Sequence, residues 1–128
     1  MKSLLQETKV IAVVGLSDRP SRPSYDVSRY MQAHGYKIIP VNPSCTEILG
    51  EKCYPDLKSI PVPVDMVNVF RKSEDCLPVA KDAVAIGAKS LWLQLGVIND
   101  EAHDFAQAHG LQVVMDKCLK IEHMINGR

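Results

Sequence analysis

Five short apolar runs recur along the chain, rich in β-branched residues and punctuated by turn signals. They are Val10 to Gly15 (VIAVVG), Tyr36 to Val41 (YKIIPV), Val64 to Phe70 (VDMVNVF), Ser90 to Leu95 (SLWLQL) and Leu111 to Met115 (LQVVM). Runs this short, with apolar residues at consecutive positions, read as strands buried on both faces, and such strands belong to parallel sheets covered by helices. The segments between them supply the helices. Val27, Tyr30 and Met31 lie at helical spacing within Ser24 to His34, and Gly35 is the stop. Ser73 can cap a helix with Leu77, Ala80 and Val84 as its inner stripe, its regular part beginning near Pro78. Asn99 can cap a helix through Ala108, with Asp100, Glu101 and Asp104 near its positive end, and a last helix is expected from about Cys118 to Ile125. Between the second and third runs only a short helix fits, at Pro55 to Ile60. This alternation predicts an α/β fold: one Rossmann-like five-stranded parallel sheet, order 3-2-1-4-5, with helices on both faces and right-handed crossovers.

The chain has 128 residues, so residues 1–128 are read as one domain. Fifteen Lys and Arg balance fifteen Asp and Glu, which leaves no basic field for nucleic acid. No apolar run approaches the ~18 residues needed to cross a bilayer, and Met1 to Glu7 lacks the apolar stretch of a signal peptide, so no membrane partner and a cytoplasmic location are expected. Cys45, Cys53, Cys76 and Cys118 form no CxxC pair, and the histidines at 34, 103, 109 and 123 show no HxxxH or HExxH spacing. Free thiols and no metal are expected. Self-association as a homo-oligomer is left open.

In an open doubly wound sheet, ligands bind at the carboxyl ends of the strands, where the order changes direction. Here those ends are Gly15 to Pro23, Val41 to Ser44, Phe70 to Ser73, and Leu95 with Gly96. The first of these joins a strand to a helix N-terminus, a natural phosphate site, with hydroxyls at Ser17, Ser21 and Ser24 and cations at Arg19 and Arg22. It departs from the dinucleotide pattern GxGxxG, because Ser17 stands where the second glycine would admit a pyrophosphate. At the end of the second strand, Val41-Asn42-Pro43-Ser44 replaces the acid that would hold an adenosine ribose. A neutral end accepts a ribose carrying a 3′-phosphate. Coenzyme A carries that group, with a total charge of about −3.5 to −4, and Arg19, Arg22, Arg71 and Lys72 stand on loops that could face it.

Trp92 and Gln94 share one face of the fourth strand; Trp92 reads as core, whereas the Gln94 amide needs partners that a ligand would supply. Asp18 reads as a turn residue and Asp116 as the cap of the last helix, and Asp65 has no evident partner. Cys118 opens that helix, where the helix dipole, Lys117 and Lys120 favour a thiolate and Asp116 opposes it; the other reading is a buried, inert cysteine.

The strings VVGLS, RPSYDVSRYM, GYKIIPVNP, LGEKCYPDL, VNVFR, LWLQLGV and VVMDKC, in this order and spacing, closely resemble the small stand-alone CoA-binding proteins of bacteria and archaea. Their fold is similar to the N-terminal CoA-binding domain of the succinyl-CoA synthetase α subunit. The resemblance implies that Gly15, Ser17 and the Arg22-Pro23-Ser24-Tyr25 loop hold phosphates, that Val41, Asn42 and Pro43 lie beside the adenosine, and that Phe70 and Arg71 flank the nucleotide. It also sets Cys118 at the cysteine that closes the corresponding strand, close to where the CoA thiol ends. None of the four histidines matches the synthetase's phosphohistidine motif, so the resemblance implies binding of CoA or acyl-CoA and says little about catalysis. Two other readings stand beside it: an NAD(P)-binding redox sensor or small dehydrogenase, and an enzyme of CoA thiol chemistry that uses Cys118.

Overall fold

The computed structural model describes Met1 to Gly127. The main sheet is built from β1 (Val10–Val14), β2 (Lys37–Val41), β5 (Met66–Val69), β6 (Ser90–Leu93) and β7 (Gln112–Val114), every neighbouring pair parallel. A two-stranded hairpin of β3 (Glu47–Ile48) and β4 (Glu51–Lys52) stands apart from it. Alternate residues of the buried strands feed two cores. Ile11, Val13, Met66 and Trp92 face a layer made by α1 (Lys2–Glu7), α2 (Pro23–Ala33) and α5 (Leu119–Asn126), where Leu5, Val27, Met31 and Leu119 are buried. Ala12, Val67, Val69, Leu91 and Leu93 face α3 (Cys76–Ala85) and α4 (Asp100–Ala108) on the other side. Those two helices meet through Ala80, Ala83, Ala102 and Ala106, all fully buried, whose small side chains let the backbones approach. The α/β class, the five parallel strands and the helical layers on both faces are as the apolar runs predicted.

The strand order needs one correction. Counted along the five main strands it is second-first-third-fourth-fifth, because the third, β5, pairs with β1 and does not lie outside β2 as 3-2-1-4-5 required. Pro40 is the physical reason. The amides of Lys37 and Gly15 and the carbonyl of Val41 join β2 to β1, so Pro40 faces the opposite edge, where a proline cannot donate to a further strand. That edge is closed by the following loop instead: Tyr54 donates its amide to the Pro40 carbonyl at 3.0 Å and accepts the Asn42 amide at 2.9 Å. The reversal of strand order therefore falls between β1 and β5.

Local features also differ from the sequence reading. The hairpin turn is Leu49-Gly50, both residues at positive φ (55° and 75°), the backbone of a tight two-residue connection. Ser73 caps no helix; a 3-10 turn, Ser73–Asp75, precedes α3, whose buried stripe is Cys76, Ala80 and Ala83 while Leu77 is half-buried. Asn99 caps α4 as expected, accepting the Ala102 amide at 2.8 Å. Asp65 has partners after all: its carboxylate accepts the Lys9 and Val10 amides at 3.0 and 2.9 Å, pinning the amino end of the sheet.

At the opposite end Gly15 is held at φ 87°, and a Cβ there would run into the Phe70 carbonyl oxygen. Gly15→Ala is expected to destabilise the fold by more than the 1–2 kcal/mol of the left-handed backbone alone, because Phe70 must also move; urea denaturation measures it. Across the α1/α2/α5 layer, Lys120 on α5 donates to the Asp26 carboxylate on α2 at 2.9 Å, and this bond is the main cause that holds Asp26 below the usual carboxylate range. A lowered pKa contributes stability that is complete above the unfolded value of about 3.9 and is lost as pH falls through the folded one. Asp26→Asn should therefore lower the unfolding free energy at pH 7 by less than about 1 kcal/mol for so exposed a pair. The difference should begin to shrink as pH falls below about 4 and close only below the lowered folded pKa of Asp26; a difference that does not shrink on acidification would exclude the ion pair as its source.

Candidate functional site

The β1/β5 reversal opens a crevice at the carboxyl ends of the strands, as doubly wound sheets do. Phe70 donates its amide to the Val14 carbonyl at 2.9 Å, and Gly15 donates to Val41 at 3.1 Å, so three strand ends are drawn together. Two cavities adjoin there, both lined by Pro23, Phe70 and Arg71.

The first cavity, about 500 Å³, is polar: Gly15, Ser17, Arg19 and Arg22 line it from the β1–α2 loop, Ser24 from the first turn of α2, and Asn42, Pro43 and Ser44 from the end of β2. Pro23 at the first position of α2 matches the geometry of a helix start, and Arg22 is its N-cap without a side-chain cap bond. The loop is shaped by its own serines: the Ser17 amide donates to Ser24 Oγ at 2.9 Å, and the Arg19 amide to Ser17 Oγ at 3.1 Å. Asn42 Nδ2 donates to the Leu16 carbonyl at 2.9 Å while its Oδ1 accepts the Ser44 amide at 2.8 Å, so Asn42 joins the two loops. Arg19, Arg22, Arg71 and Lys72 are exposed, and among the described residues none of the four is ion-paired to a carboxylate. Three of them, Arg19, Arg22 and Arg71, line the polar cavity beside the amino end of α2, where helix dipole and cations both favour negative charge.

The second cavity, about 650 Å³, is apolar: Pro23, Val27, Phe70, Leu95, Val97 and Ile121 line it, with Gln94, Cys118, Arg71, Lys72 and Asp75. Gln94 is 3% exposed, and its Nε2 donates to Asn68 Oδ1 at 2.7 Å. Trp92 is core, as expected, its Nε1 donating to the Lys117 carbonyl at 2.8 Å. Asp116 is not the cap of α5; Cys118 occupies that position. Held at φ 61°, Asp116 instead accepts the Gly96 amide at 2.7 Å, and Ser73 Oγ accepts the Ile98 amide at 3.0 Å, so the 94–99 loop is tied from two sides. Lys120 is engaged with Asp26. Burial, with Asp18 as the second cause, raises the Cys45 thiol; burial, with Asp75 and Glu74, raises Cys76, which donates to the Lys72 carbonyl.

Of the residues named from sequence, Gly15, Ser17, Arg22, Pro23, Ser24, Asn42, Pro43, Phe70 and Arg71 come together around the polar cavity, and Lys72, Gln94 and Cys118 around the apolar one. Two fall outside both. Tyr25 is half-buried against the α1/α2/α5 core, and Val41 lines a small cavity of about 120 Å³ on the α3 side of Arg71. Sequence reasoning passed over Asn68, the buried partner of Gln94, and the apolar lining at Val27, Leu95, Val97 and Ile121. A lone Asn in an apolar strand is a signal for the first; the others are ordinary apolar residues whose convergence only the fold creates. Among the described residues no three His, Cys, Asp or Glu side chains gather as a metal site, and no helix is long and apolar enough to cross a membrane.

The model of the CoA binding domain family matches residues 9–124. The chain belongs to that family. The protein YneT of Bacillus subtilis is 48% identical over 98% of this chain and 93% of its own length. The solved structure of a hypothetical protein from Pyrococcus horikoshii OT3 superposes with a TM-score of 0.94 at 37% identity, covering 97% of this chain and 87% of that one. Acetate–CoA ligase (ADP-forming) II of Archaeoglobus fulgidus is 26% identical over 82% of the chain, a match spanning 17% of the ligase. This CoA-binding domain thus has relatives both of its own size and within a much longer enzyme.

Asp116 offers a test of the loop geometry. Asp116→Ala loses the bond to Gly96 and sets an alanine in the left-handed region, so a loss of about 1–3 kcal/mol is expected. Asp116→Asn keeps an acceptor and tolerates that backbone, and should be close to wild type in urea denaturation.

Proposed function

We propose that the protein is a CoA-binding module that holds the ligand across the carboxyl ends of β1, β2, β5 and β6. The carrying observation is the pair of adjoining cavities of opposite chemistry that meet at Pro23, Phe70 and Arg71. A 3′-phosphate and pyrophosphate suit the polar cavity, where the first turn of α2 and Arg19, Arg22 and Arg71 supply donors and charge. The adenosine lies toward Asn42 and Pro43, just past the end of the strand whose last residue is the buried Val41, and the pantetheine arm crosses Phe70 toward Gln94 and Cys118. Tyr25 shapes the α2 start from the core side. The reading is one of binding, with CoA or an acyl-CoA as the partner.

The ligand's charge argues for CoA over NAD. NAD lacks the 3′-phosphate, and the site offers neither a glycine at position 17 nor an acid at position 42. Calorimetry with CoA, 3′-dephospho-CoA and NAD⁺ tests this: CoA should bind tightest, and equal or tighter NAD⁺ binding would refute the assignment. Arg22→Ala and Arg71→Ala should each weaken CoA by about 1.5–3 kcal/mol, the range for charge-assisted contacts, with the fold intact. The arginine that reads the 3′-phosphate should matter less for dephospho-CoA.

A further inference from the structure

We infer that the apolar cavity is an acyl-chain subsite, and that the preferred ligand is an acyl-CoA carrying an uncharged aliphatic group. The inference rests on the CoA reading and extends it to the substrate class. At about 650 Å³ this cavity alone has the size of a whole small-molecule pocket, commonly about 300–1,000 Å³, before the polar cavity's 500 Å³ is added. Its walls are Val27, Leu95, Val97 and Ile121 over Phe70. Leu95 and Ile121 are 66% and 49% exposed, large apolar side chains at the mouth of a cavity with nothing among the described residues to cover them. An aliphatic chain running on from the pantetheine thioester would cover both.

The polar groups on the same wall speak against a charged acyl end. Gln94, the buried polar side chain that faces the cavity, already donates to Asn68, and Asp75 on the rim repels a carboxylate. Arg71 stands at the boundary with the polar cavity, where the phosphates lie, while Lys72 lines the apolar cavity together with Asp75 and is exposed, so its ammonium stays in water at the rim. A carboxylate carried deeper would be desolvated without a buried cation.

The test is a calorimetric series on the full chain with CoA, acetyl-, butanoyl-, hexanoyl- and succinyl-CoA. Affinity should rise with chain length, hexanoyl-CoA binding at least about tenfold tighter than acetyl-CoA if its added methylenes reach about half of full burial. Succinyl-CoA should bind no tighter than acetyl-CoA. Leu95→Asp and Ile121→Asp, both at exposed positions, should flatten the series to within about twofold, a ratio of affinities within each variant. CoA binding with a flat series in the wild type, or tightest binding of succinyl-CoA, overturns this inference and leaves the CoA reading standing. A chain-length gain that survives in both variants places the acyl group elsewhere and overturns it as well. Failure of every CoA ligand to bind overturns both readings.

Discussion

The close approach of Gly15 to the Phe70 carbonyl, at the point where β1 and β5 pair, is the constraint on which the rest of the site depends. The two strands end side by side, and their chains must then part, one into the β1–α2 loop and one toward α3. A side chain at position 15 would hold them apart. With none there, the loop can turn at positive φ, present Ser17 and Ser24 to each other, and start α2 at Pro23 with its amino end over the crevice. The same pairing delivers Phe70 and Arg71 to the seam between the two cavities.

The polar half of the site is built from backbone and short side chains, while its charge comes from long exposed ones. Ser17, Ser24 and Asn42 spend hydrogen bonds on loop shape, which preorganises the helix start without an anion. Arg19, Arg22 and Arg71 remain unpaired around it. In this chain of zero net charge, the field at the crevice is thus a local product of the fold. The apolar half is held differently: Asp116 and Ser73 tie the 94–99 loop, and the Asn68–Gln94 pair closes the floor beside Trp92.

Much of this was legible from the residues. The short, largely apolar runs at 10–14, 66–69 and 90–93 announced strands buried on both faces, because such runs leave no side for solvent. The cations and serines of the first loop were legible because a strand running into a helix start leaves few alternatives for where they face. Pro40 carries the edge position of β2 in plain view, whereas the alternation of strands and helices by itself does not fix which strands are neighbours. Asp116 and Ser73 were misread as caps because each stands just before a helix; their partners, Gly96 and Ile98, come from a different loop that sequence proximity does not reveal.

By itself the sequence determined the five main strands and the helices between them, the parallel sheet covered on both faces, and the family, since periodicity, turn residues and motif strings are local properties of the chain. The tertiary structure alone decided that β5 lies against β1, that Asn68 meets Gln94, and that Val27, Leu95, Val97 and Ile121 converge on one cavity. Those outcomes join residues 26 to 94 positions apart in the chain, and nothing in an isolated Leu or Ile distinguishes a wall of a binding site from ordinary core until the strands are laid side by side.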